Sequence, residues 1–319
     1  MIIELKKQKY LLILFSIWLA AAAIFFSARS AGFPVPLIAE GAFSSLLFAY
    51  FPIVLIAVFL LLYLTRKRAN VDWVNLYGVN KETAANEAWL AVIYLAVTQV
   101  ILGFFLNTGL HFPGPDVYQT GSHGQYDVWL WALTYFVAYV VLPLVWLNKK
   151  GFSMKKLITS LNWRRDIWIL VGYWCMDFFG PIFSGADFFG LTASQYAQGI
   201  PAGVFVNTLG AGLPVVVMMH LIFIPRIAVL IDNKLAVIAL GGLYYALFSL
   251  FDQGVDYSSL DVALMSTMYI IMTQMLVGMG KAAFTVVTGN PFIHFITLHV
   301  ISARIPFDTK MYVEIFRFK

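Results

Sequence analysis

The sequence predicts an all-α, polytopic integral membrane protein with about eight or nine transmembrane helices and a cytoplasmic N-terminus. Three observations predict it. The 319-residue chain is 61% hydrophobic and only 12% charged, too little polar surface to clothe a soluble globule. Nearly charge-free runs at 10–26, 43–64, 88–106 and 128–147 are each about 17–22 residues long, what a helix rising 1.5 Å per residue needs to cross ~30 Å of hydrocarbon. Lys and Arg gather on alternate loops, the pattern the positive-inside rule demands.

The elements follow in order. Lys6, Lys7 and Lys9 precede the first run, which is longer than the apolar stretch of a usual signal peptide. No convincing small-residue cleavage site precedes Pro34, so the run reads as a retained span. The loop after the second run carries Arg66, Lys67, Arg68 and Lys81. The loop after the fourth carries Lys149, Lys150, Lys155, Lys156, Arg164 and Arg165. Loops 107–127 and 184–201 have neither Lys nor Arg, so they face outside with His111, His123, Asp116 and Asp187. The two basic loops read as short amphipathic helices at about 73–82 and 155–166, with Trp73 and Trp163 at headgroup depth.

Beyond residue 150 the pattern loosens. The chain divides into an N-terminal four-helix region, 1–150, and a C-terminal membrane region, 151–319. Run 167–183 is interrupted by Asp177, and 204–231 contains Gly210, Gly212, Pro214, His220, Pro225 and Arg226. Run 235–251 ends at Asp252, and runs 262–280 and 284–303 flank Lys281 and a Gly289–Asn290–Pro291 break. Helix breakers and ionisable groups at membrane depth are costly unless they face protein or water, so function is expected within about 167–305.

Charge and cysteine usage narrow the chemistry. The net charge of +5 sits at span ends, which fits anchoring beside lipid headgroups and not nucleic-acid binding. Cys175, the sole cysteine, allows no intrachain disulfide and no Cys-based zinc site. There is no HExxH, no P-loop and no elbow glycine motif around a nucleophilic serine.

The candidate site residues are His220, Arg226, Asp252 and His299. His220 and Arg226 are six residues apart, about 9 Å along a helix and off one face. Asp252 and Asp256 share a face only if their helix continues past Gly254. His294 and His299, five apart, point about 140° away from each other on an α-helix and need a bend to bind one ion together. Each group also has a plain structural role open to it. These are solvated loop for Asp252 and Asp256, packing for His220 and His299, and snorkelling to the interface for Arg226. Because an isolated polar group in hydrocarbon is costly, His220, Asp252 and His299 are expected to converge on one polar cavity.

The C-terminal segments resemble the CPBP family, the CAAX prenyl endopeptidase and bacteriocin-processing (Abi) membrane proteins. That family carries EExxxR on one span, FxxxH on the next and HxxxN or HxxxD on a later one. Here Leu221–Ile222–Phe223–Ile224–Pro225–Arg226 keeps the arginine and lacks both glutamates. Phe248–Ser249–Leu250–Phe251–Asp252 keeps Phe248 and offers Asp252 in place of histidine. His299–Val300–Ile301–Ser302–Ala303 keeps His299 and ends in alanine. The resemblance covers about 167–304 and implies a prokaryotic plasma-membrane protein whose family hydrolyses peptides with a glutamate-activated water; a divalent metal is the cofactor that the resemblance raises. Leu221 and Ile222 supply neither base nor metal ligand, so the family's proteolysis is not expected. Three functions stay open: a silent relative that binds a membrane protein partner in immunity or assembly, a hydrolase with a rewired His/Asp site, and a transporter of small solutes or lipids.

Overall fold

The computed structural model describes residues 2–32, 51–106, 108–111, 124–183, 190–252, 255–300, 302 and 305–319, leaving aside the side chains of 2–8, 176–183, 306 and 307. His123, Asp116, Asp187 and Ala303 lie outside the described residues, as does the side chain of Asp177. Every described element is a helix. They are α1 (Ile2–Ser30), α2 (Phe51–Leu64), α3 (Trp73–Tyr77), α4 (Ala84–Leu106), α5 (Gln125–Lys149) and α6 (Met154–Ser160). There follow α7 (Trp163–Phe183), α8 (Ala193–Leu230), α9 (Lys234–Phe248), α10 (Leu260–Thr288), α11 (Phe292–Phe295) and α12 (Ile305–Phe316). Among the described residues five helices, α1 from Lys9 onward with α4, α5, α8 and α10, are long and apolar enough to cross a membrane. The apolar helices α2 and α9 are shorter, at 14 and 15 residues.

Pro143, Pro214 and Pro225 do not break their helices; wider turns absorb them. The segments Val137–Val141 in α5 and Thr208–Gly212 and Val216–Phe223 in α8 are π-helical, and Pro143, Pro214 and Pro225 each follow two residues later. A proline ring collides with the carbonyl four residues back and donates no hydrogen bond. Opening the preceding turn to an i→i+5 pattern accommodates that ring while the helix continues. A fourth π segment, Ile296–Val300, continues α11.

The chain forms two compact units, each drawing on both the 1–150 and 151–319 stretches. The first unit holds Met1–Leu110 and Met219–Gly289. At its centre α9 and α10 cross at close range because glycines line the crossing. A Cβ on Gly242 would collide with the Met275 carbonyl, one on Gly278 with Tyr245, and one on Gly241 would sit 2.8 Å from Ala282 Cβ. The α1 helix is tied to α10 by Trp18 Nε1, which donates to the Met272 carbonyl at 2.8 Å. The first surface helix is shorter than the expected 73–82. Asp72 caps its start by accepting from the Asn75 amide, and Gly78 in the left-handed region (φ 65°) ends it. Its last residue, Tyr77, donates to the Gly289 carbonyl at 2.8 Å.

Lys281 was expected between two spans, but α10 runs through it without interruption. Its ammonium donates to the Tyr245 hydroxyl at 2.7 Å and lies 4.3 Å from that ring's centre, so the charge is housed inside the unit. The helix instead ends at Gly289, whose φ of 72° suits glycine.

The second unit holds His111–Met218 and Asn290–Lys319. Here the surface helix α6 stops at Ser160, and the residues expected to extend it, Trp163 to Asp166, instead begin α7. Gly210 admits the ring of Trp131 from α5, which is fully buried. Gly199 and Gly203 admit Thr309, Val313 and Tyr312 of α12, and the Tyr312 hydroxyl donates to Asn207 Oδ1 at 2.7 Å.

Candidate functional site

Pro225 explains the setting of Arg226. Lacking an N–H, Pro225 cannot satisfy the carbonyl of Leu221 four residues earlier. The Arg226 guanidinium takes over, its NH1 donating to Leu221 O at 3.0 Å and Ile222 O at 3.3 Å. Its Nε donates to Glu87 Oε2 at 3.0 Å, and the Thr83 hydroxyl donates to the other oxygen, Oε1, at 2.8 Å. Arg226 is 2% exposed and Glu87 8%, so this is a buried, charge-assisted pair between α8 and α4 and not a side chain reaching for the interface. The aliphatic side chains of Leu221 and Ile222 are themselves buried.

Directly before Leu221, His220 is fully buried and its Nδ1 lies 2.8 Å from Thr285 Oγ1 on α10. Thr285 is four residues after Lys281, so the two share a face of α10. The Phe223 and Tyr244 rings stack at 4.2 Å, and Tyr244 donates to the Ala91 carbonyl at 3.2 Å. His220 and Arg226 thus have separate partners, Thr285 and Glu87.

Asp252 lies past the end of α9, which closes at Phe248. It therefore shares no helical face with Asp256. Asp252 is buried and packs against Gly109, where any Cβ would run into its backbone N and carboxylate. Asp256 is exposed, and its carboxyl is held below the usual range because the backbone N–H of Ser258 donates to Oδ1 at 2.8 Å. The Tyr257 hydroxyl donates to the Leu250 carbonyl, and burial pushes that phenol up to about 12.

His299 belongs to the second unit, and its partner there is His294. His294 lies in the α-helical turn Phe292–Phe295 and His299 in the π segment that follows, whose wider turn reduces the divergence of residues five apart. The bend needed to join the two histidines is therefore built in, and their ring centres stand 5.2 Å apart, edge to face at 73°. Phe295 stacks on His299 at 6.2 Å. Gly212, in the π segment Thr208–Gly212, leaves room for the imidazole: a Cβ there would sit 3.1 Å from His299 Cγ. Asn290 braces the approach, accepting from the Phe292 amide at 3.0 Å and donating to buried Asp166 Oδ2 at 3.2 Å. Trp163 stacks on Phe292 at 6.2 Å.

Sequence reasoning therefore missed Glu87, Thr285, Lys281 with Tyr245, and Asp166. Placing function only in 167–305 passed over Glu87, although a lone carboxylate at the mouth of an apolar run was a usable signal. Among the described residues no three His, Cys, Asp or Glu side chains are arranged to hold a metal ion. No protein-family model, curated protein or solved structure matches the chain.

Proposed function

We propose that this is an integral membrane protein of eight or nine spans with its N-terminus in the cytoplasm, a catalytically silent relative of the CPBP proteins that binds a membrane protein partner in immunity or assembly. One observation carries the reading: Arg226, the residue its motif retains, is committed to Glu87 and to the carbonyls of Leu221 and Ile222. Where the family resemblance calls for glutamates, buried aliphatic side chains contribute only main-chain acceptors. Positions 221 and 222 supply no general base, and the nearby Glu87 carboxylate is taken up by Arg226 and Thr83. The lipid bilayer is the first partner, through the outward apolar faces of the long helices.

The test separates binding from chemistry. The protein is purified in mild detergent and its cellular phenotype and copurifying membrane proteins are followed for His299→Ala and Asp252→Asn. Retention of both phenotype and a defined, stoichiometric partner supports the binding role. A retained partner with a lost phenotype refutes it and favours the rewired hydrolase. The π segments of α5 and α8 favour a second reading, transport along helices with locally widened turns. Uptake or efflux of a small solute or lipid by reconstituted vesicles, abolished by the same variants, selects that reading. Topology is checked in a Cys175→Ser background, where Ser122→Cys and Ser153→Cys are expected to label from opposite sides.

A further inference from the structure

We propose that residues 290–319 cross the membrane and that the stretch reaching Lys319 emerges on the outer side, opposite the basic loop 149–165. The side rests on the cytoplasmic N-terminus proposed above; the crossing rests on geometry inside the second unit. Its start is anchored at the basic end. There α5 closes at Lys149 and α7 opens at Trp163, and the loop between and around them carries Lys149, Lys150, Lys155, Lys156, Arg164 and Arg165. Asn290 donates to Asp166 Oδ2 at 3.2 Å and Phe292 stacks on Trp163 at 6.2 Å, both in the first turn of α7.

The far end of the stretch is held where α5 and α8 begin. Phe316 lies 6.1 Å from Trp129 in the second turn of α5, and Trp129 lies 6.1 Å from Phe205 of α8. Gln195 and Gln198, in the first two turns of α8, donate to the carbonyls of Phe318 and Lys319 at 3.5 Å and 3.3 Å. Between these ends the chain runs antiparallel to α8. His299 packs at Gly212, and Tyr312 fills the space at Gly203 while donating to Asn207 at 2.7 Å. Phe292–Val300 and the 12 residues of α12 together rise about 30 Å, the thickness of the hydrocarbon core.

Charge alone argues the other way. Lys310, Arg317 and Lys319 are exposed, and the positive-inside rule would keep them beside the basic loop. The rings and amides that receive Phe316, Phe318 and Lys319 all stand at the opposite end, so packing decides. An N-terminus inside and Lys319 outside require an odd number of crossings, which selects nine spans over eight. The exposed face of α12, with Lys310, Glu314 and Arg317, is then reached by a partner from outside.

The test labels single cysteines in the full chain with a membrane-impermeant maleimide, before and after permeabilising the cells, in a Cys175→Ser background. Ser153→Cys reports the basic loop, Ser194→Cys the start of α8 and Lys319→Cys the far end of the stretch; all three positions are exposed. Ser194→Cys and Lys319→Cys are expected to label in intact cells, and Ser153→Cys only after permeabilisation. Lys319→Cys labelling together with Ser153→Cys would overturn the crossing. The mirror result, Ser153→Cys labelled from outside and the other two protected, keeps the crossing and refutes the cytoplasmic N-terminus on which the side rests. Should Lys319→Cys fail to accumulate, an epitope tag placed after Lys319 in the unsubstituted chain decides. Antibody access in intact cells supports the proposal, and access only after permeabilisation overturns it.

Discussion

Arg226 on α8 and Glu87 on α4 form a buried ion pair at 3.0 Å across 139 residues of sequence. The pair does three jobs at once: it neutralises both charges, lets the guanidinium occupy the Leu221 carbonyl left open by Pro225, and fixes where α4 meets the end of α8. Removing one partner strands the other in an apolar setting, which typically costs about 3–5 kcal/mol. Glu87→Ala is therefore expected to lower thermal stability in detergent sharply. Replacing both partners with apolar residues, Glu87→Leu with Arg226→Met, is expected to recover most of the loss, because no uncompensated charge remains. Thermal unfolding of the parent and the two variants checks this. If the single variant is as stable as the parent, the pair is not the anchor described.

Much of the helical fold was legible because apolar runs and helix-forming composition act over many residues at once. What escaped was local. Pro214 and Pro225 read as breakers, yet in α8 each is absorbed by a π turn two residues upstream, which a 3.6-residue period cannot reveal. The same period separated His294 from His299, which the structure joins. Lys281 read as the end of a span because charge in hydrocarbon is costly, but a tyrosine 36 residues away receives it. The candidate residues Arg226, His220 and Asp252 are buried, whereas Glu87 and Thr285, the partners of Arg226 and His220, carried no pattern linking them across the chain.

The α9–α10 crossing makes a sharper packing prediction. Gly242 lies against the Met275 carbonyl and Met279, so a side chain there must push two helix backbones apart. Gly242→Val is expected to cost about 1–3 kcal/mol or more by overpacking. Gly172 in α7 has nothing within 4 Å of where its Cβ would be. Gly172→Ala is expected to be neutral or to stabilise by about 0.5–1 kcal/mol, since alanine restricts the unfolded chain and favours helix. Comparing midpoints of thermal unfolding for the two variants tests whether close approach, and not helix propensity, governs glycine in this protein.

Tyr257, between α9 and α10, gives the chain an alkaline signature. Burial pushes its phenol from 10.0 up to about 12; the carboxylate of Asp252 adds to the rise while a hydrogen bond with Thr267 opposes it. The folded state thus prefers the neutral phenol, which donates to the Leu250 carbonyl. Its contribution to stability is complete below pH 10, the ordinary value for the unfolded chain, and disappears as pH rises through about 12. Because the ring is only partly buried, the decline is shallow. Tyr257→Phe is expected to be less stable than the parent at pH 8, having lost the donor, and the gap is expected to narrow between pH 10 and 12. Melting temperatures measured across that range for both proteins supply the check. A gap that stays constant with pH would show that the phenol ionises no differently in the folded chain than in the unfolded one.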